Sequence, residues 1–139
     1  MEPFIIERTF NAPAIQVWKA ITNNDDLKKW YFNLPEFKAQ KGFEFSFIGG
    51  EKDGEQYTHL CRVTEVIPGK KLSYSWQYQG YEGYSEVSLE LFDLGDQTRL
   101  VLTHTGLDSF PQHPSFARKS FEAGWTHIIG KALKEFVEA

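Results

Sequence analysis

Histidines, a lone cysteine and a few ionisable groups on apolar faces are the residues of this chain whose types could do chemistry. His104 shares an alternating face with Leu100 and Leu102. An imidazole there can orient a ligand carbonyl or serve as a general base near neutral pH. The competing reading is a hydrogen-bonded core histidine at a strand end. His59 and Cys61 lie two apart and share a face, but a thiol nucleophile needs a base that is itself oriented by a third group. Two such ligands do not make a zinc site either. His113 falls in a loop and His127 on a terminal helix, so no metal-ligand spacing emerges. Arg8 lies on the same face as Ile6 and Phe10, where an unpaired charge is costly. Its partner would be a carboxylate or an anionic ligand head group. The Tyr74 phenol asks for a ligand oxygen or a backbone carbonyl. Glu86 and Glu90, opposite in phase to Val87 and Leu89, are expected to face water. No phosphate-binding loop or dinucleotide fingerprint is present. No catalytic residue, cofactor or metal is therefore assigned, although a cavity can promote a reaction with one well-placed base.

The elements that must position these groups are legible from periodicity. Phe4 to Phe10 alternates as a first strand. Ala14 to Ile21 carries Val17, Trp18 and Ile21 at helical spacing, after a start at Asn11 or Pro13. The run Thr22-Asn23-Asn24-Asp25-Asp26 starts a second short helix, ending near Trp30 and Tyr31. Phe43, Phe45 and Phe47 then alternate with polar residues as a strand, and Gly49 to Gly54 is a polar turn. Further strands run from Tyr57 to Ile67, through Leu72, Tyr74 and Trp76, through Val87, Leu89 and Leu91, and from Thr98 to Thr105. Pro68-Gly69, Gly80 to Gly83 and Gly95-Asp96 supply the turns. Gly106 to Pro114 is a loop. Ser115 is expected to cap a long helix carrying Phe121, Trp125, Ile128, Ile129, Ala132, Leu133 and Phe136, about 30 Å from end to end. The order is that of an α+β fold, a curved antiparallel sheet whose apolar face is covered by the C-terminal helix.

The chain has 139 residues with a net charge of −4, a sequence pI near 5.6 and 16% aromatic residues. That size suits a single domain, residues 1–139, able to bury a sizeable core. The acidity argues against nucleic acid as a partner. No apolar run reaches the roughly 20 residues needed to cross a bilayer, so membrane insertion is not expected. The start Met1-Glu2-Pro3 reads without a signal peptide, and a cytoplasmic location is expected. The aromatic excess fits a large core or a pocket for apolar ligands.

The run Ile6-Glu7-Arg8-Thr9-Phe10-Asn11-Ala12-Pro13, followed by Val17-Trp18, Leu27 and Trp30, resembles the start of the START-like (Bet v 1-like, SRPBCC) helix-grip superfamily. Gly42 before the phenylalanine strand and the stretch Val63 to Trp76 are similar to its central hairpin. Thr98 to Gly106 and Gly124-Trp125 resemble, more narrowly, the activator-of-Hsp90-ATPase homologue family. The resemblance covers nearly the whole chain. It implies a sheet gripping the C-terminal helix, with a cavity between them for lipids, sterols, polyketides or flavonoids.

On that basis a ligand site is expected from Leu72, Tyr74, Trp76, Leu89, Leu100, Leu102, Phe121, Trp125 and Ile128, with Arg8, His104 and Trp30 at its polar positions and mouth. The expected partner is a small apolar or amphipathic ligand. The alternatives are a protein partner, chaperone-linked as the family name implies, meeting the sheet or the tyrosine-rich hairpin Tyr78, Tyr81 and Tyr84, and a cyclase-type enzyme using His104 or Tyr74.

Overall fold

In the computed structural model, which describes residues 3–31, 36–50, 56–113 and 116–139, the first alternation becomes β1 (Phe4–Phe10). Phe4, Ile6 and Phe10 are buried, while Arg8 on the same face is exposed. Pro13 begins α1 (Ala14–Thr22), whose Val17, Ala20 and Ile21 turn inward. The Asn23 side chain accepts a hydrogen bond from the Asp26 amide and starts α2 (Asn24–Trp30). Asp25 and Asp26 in its first turn and Lys28 and Lys29 in its last complement the helix dipole.

The remaining strands are β2 (Glu44–Gly50), β3 (Gln56–Ile67), β4 (Lys71–Tyr78), β5 (Ser85–Asp93) and β6 (Thr98–Thr105). All pair antiparallel in one six-stranded sheet ordered β1-β6-β5-β4-β3-β2. The chain thus closes its meander by laying β6 against β1. A bulge at Thr64 shifts the β3–β4 register between Val63 and Glu65. An extra residue on one strand bends it and raises the local twist, which helps curve the sheet toward the helix.

The covering helix runs through α3 (Arg118–His127), a π-helical stretch (Ile128–Leu133) and α4 (Lys134–Val137). It begins after Ala117, whose side chain makes no cap bond. Ser115, read above as the cap, lies outside the described residues, as do positions 51–54 of the polar turn. Its buried residues, Phe121, Trp125, Ile129, Leu133 and Val137, recur every four positions. In a regular α-helix that spacing drifts by about 40° at each step, or about 160° over the stripe. A π segment winds less per residue and turns the stripe back. All five side chains therefore stay against the sheet.

One end of the layer between sheet and helix is plugged by aromatics. The Tyr78 ring lies 4.6 Å from Phe116 and 5.2 Å from Phe110, and Tyr57 lies 5.1 Å from Phe116. The hairpin bearing Tyr78 is clamped down by glycines at positive φ. A β-carbon on Gly83 would stand 2.5 Å from the Phe110 ring, and one on Gly106 would stand 2.6 Å from the Tyr84 carbonyl. Ser109 completes the clamp, accepting from the Tyr84 amide and donating to its carbonyl, both at 2.8 Å. Of the three hairpin tyrosines, Tyr78 is therefore core, Tyr81 is 42% exposed against the plug, and Tyr84 is 53% exposed.

Candidate functional site

A cavity lies toward the other end, between α2, the sheet and the terminal helix. Ile21 and Leu27 reach it from the short helices, Leu72 and Leu89 from neighbouring strands, and Trp125 and Ile129 from the helix. Phe37 and Phe45 line the β2 side, with their rings edge-on at 5.1 Å. Its free volume is about 20 Å³. That admits about one water molecule.

Trp30 and Tyr31, at the end of α2, complete the wall. The Trp30 indole donates to the Ala20 carbonyl at 2.8 Å, tying α2 to α1, and its ring stacks on Tyr31 at 5.2 Å. Tyr31 leaves the helix at φ −111° and ψ −111°, outside the helical region, and its ring lies 5.8 Å from Phe47. Its hydroxyl lies 3.2 Å from that of Tyr74. Burial pushes both phenols up from their ordinary range; Tyr74 adds to the rise at Tyr31, while the hydrogen bond from Tyr31 partly offsets it at Tyr74. Both stay neutral at any physiological pH. The cavity wall is thus apolar except for two neutral hydroxyls, the indole N–H groups of Trp30 and Trp125 being engaged elsewhere.

Trp125 links the cavity to a second polar feature. Its indole donates to His104 Nδ1 at 3.0 Å. An indole nitrogen only donates, so Nδ1 is the acceptor and Nε2 carries the proton. Nε2 then donates to Ser85 Oγ at 2.8 Å, and Ser85 Oγ donates to the Trp76 carbonyl at 2.9 Å. Every site on the imidazole is filled, His104 is fully buried, and desolvation lowers its pKa to about 3. A general base needs a free nitrogen and a substrate beside it. Neither His104 nitrogen is free, and the ring fastens the helix to β5 and β6.

Five of the residues expected at a ligand site, Trp30, Leu72, Tyr74, Leu89 and Trp125, line the cavity together. Trp76, Leu100, Leu102 and Phe121 are buried outside its lining, with the Trp76 ring 5.7 Å from Phe47 and 5.4 Å from Trp125. Ile128 packs at the flank of the helix, and Ile129 takes the place assigned to it. Arg8 lies across the helix from the cavity. The sequence reading did not assign Ile21, Leu27, Tyr31, Phe37, Phe45 or Ile129. Ile129 was detectable as the residue four beyond Trp125, and Phe45 from its alternation with Phe47. Nothing in the local pattern marks Tyr31 or Phe37.

The other chemical candidates resolve into structure. Cys61 and His59 do share the inner face of β3. Burial pushes the Cys61 thiol far above its usual range, away from a thiolate. His59 stacks on Phe47 at 4.4 Å with Nδ1 3.0 Å from the Tyr57 carbonyl, and desolvation lowers its pKa to about 4. Glu86 is half-buried and accepts from Thr64 Oγ1 at 2.9 Å, while Glu90 is exposed. Among the described residues no three His, Cys, Asp or Glu side chains converge as metal ligands, and no helix is long and apolar enough to cross a membrane.

Comparison with known proteins agrees with this architecture. A protein of Chromobacterium violaceum superposes with a TM-score of 0.84 at 20% identity, covering 99% of this chain and 98% of that one. A Bacillus halodurans protein gives 0.76 at 24% identity, with 99% and 98% covered. DynU16, from the dynemicin biosynthetic locus, gives 0.80 at 21% identity; it covers all of this chain, which spans 48% of DynU16. No curated protein matches the chain by sequence. Residues 11–138 match the family described as activator of Hsp90 ATPase homolog 1-like protein.

Proposed function

Because the chain belongs to the activator of Hsp90 ATPase homologue 1-like family, whose helix-grip fold commonly takes hydrophobic ligands, we propose that it binds a small, largely apolar molecule between α2, the sheet and the terminal helix. The observation that carries this reading is the pair of neutral phenols, Tyr31 and Tyr74, set in an otherwise apolar wall. Two hydroxyls 3.2 Å apart both donate and accept, so they suit a hydroxyl or carbonyl oxygen on an apolar body. A charged head group does not suit them, since nothing at the wall would repay its desolvation.

The cavity at about 20 Å³ is too small for such a ligand. Binding therefore requires the Trp30–Tyr31 end of α2 to move, exchanging the phenol pair for phenol–ligand hydrogen bonds. Association should be slower than in a preformed pocket. The test is an amide NMR titration with fatty acids, sterols, flavonoids and polyketide-like aromatics. Saturable shifts centred on Tyr31, Tyr74 and Trp125, weakened several-fold in Tyr74→Phe, are expected. Silence across the panel, or shifts indifferent to Tyr74→Phe, would overturn the reading.

A further inference from the structure

We propose a second site, an oxyanion site built on Arg8 in the groove between β1 and the terminal helix. Arg8 occupies an inward position of β1, opposite the buried Leu100 and between buried Ile6 and Phe10. Its guanidinium does not enter the core. It lies beside the helix at Gly130, where a β-carbon would stand 3.4 Å from Nε and 3.7 Å from Nη2. Glycine inside a helix costs about 1 kcal/mol relative to alanine. Gly130 sits within the π-helical stretch, a rare conformation that recurs at functional sites, and a β-carbon there would meet the guanidinium at ordinary van der Waals distance.

The guanidinium so placed has its donors mostly to spare. Nη1 donates to the Glu7 carbonyl at 2.8 Å, and among the described residues no carboxylate lies within ion-pair distance of it. The nearby acids are committed to other arginines. Glu7 points to the opposite face, bound through both oxygens by Arg99 at 3.0 Å, and Glu122 pairs with Arg118 at 3.7 Å. The groove has a volume of about 530 Å³, and Lys131, His127 and the carboxylate of Glu122 line it beside Arg8. In an acidic chain this groove holds two cations, Arg8 and Lys131, against one carboxylate, Glu122, which pairs with Arg118 rather than Arg8. A planar guanidinium fork matches carboxylate and phosphate oxygens in pairs, so either oxyanion is the expected ligand chemistry. The site lies on the side of the helix bearing Ala123, Thr126 and Gly130, away from Trp125 and Ile129, and stands independently of the apolar cavity.

The experiment is an NMR titration reading the Arg8 side-chain Nε and the amides of residues 127–131. Inorganic phosphate and acetate are added separately at constant ionic strength, with chloride as the reference salt. Saturable shifts at these positions are expected with phosphate, acetate or both, and the responding anion identifies which oxyanion is bound. Arg8→Gln should weaken binding at least tenfold. A response no different from chloride, or an Arg8→Gln protein that titrates like the original, would overturn the proposal.

Discussion

Trp125 faces two regions built on opposite principles. On one side its N–H belongs to the chain Trp125–His104–Ser85–Trp76, in which each donor has one acceptor and the imidazole has no unused position. On the other its ring walls a cavity where two phenols meet across 3.2 Å and where α2 supplies the cover. A fully satisfied buried network fixes one geometry, because any displacement orphans a polar atom in a low dielectric. A phenol pair in an apolar pocket can trade partners without such a penalty. The difference assigns permanence to the His104 region, and the proposed ligand would exchange hydrogen bonds at the Tyr31 region.

Removing the shared residue should have the largest effect. Trp125→Ala deletes a ring that is 3% exposed and orphans His104 Nδ1, and should destabilise the protein by about 3–5 kcal/mol in chemical denaturation. His104→Leu breaks only the fixed region, leaving the Trp125 N–H and part of Ser85 unpaired, and should cost about 1–3 kcal/mol. Its ligand affinity should be nearly unchanged once folding is accounted for. A large affinity loss would show that the two regions are not separate.

Acid sharpens the same contrast. The folded pKa values of His104 and His59 are about 3 and about 4, below the ordinary histidine value near 6.5. The unfolded chain therefore binds protons first. The stability contributed by the two neutral rings is fully present above about pH 6.5. It is lost as pH falls toward 4 and then 3, at about 1.4 kcal/mol per pH unit for each ring. Denaturation across this range should show that slope, and His104→Leu should remove about half of it. Smallest in stability is Tyr31→Phe, expected to change unfolding by less than about 1 kcal/mol. The same variant should alter ligand affinity several-fold. If it proved as destabilising as His104→Leu, the mouth would be as fixed as the node.

The sequence reading found the elements because their signals are local. Alternation around Phe45 and Phe47, the cap at Asn23 and the glycine turns each act within a few residues. It placed the helix start earlier than Arg118, since nothing local distinguishes the turn before Ala117 from helix. For the site, it identified residues that point inward but could not divide them between filled core and cavity wall. Trp76 and Tyr74 sit two apart on one strand face, yet Tyr74 lines the cavity and Trp76 is enclosed by other aromatics. Tyr31 was missed because its position depends on where α2 ends and on the β4 residue it meets.

What the sequence by itself determined is the set of faces: strand and helix periodicities, the antiparallel order, a net acidic charge and an apolar face on the last helix. These follow from covalent geometry and from the burial of apolar area, both of which act on neighbours in the chain. Only the tertiary structure decided that the buried stripe stays on one line through a π-helical stretch, that His104 is spent on Trp125 and Ser85, and that the Arg8 guanidinium lies beside Gly130. Each depends on contacts between residues far apart in the chain, and such contacts are settled by how whole elements pack.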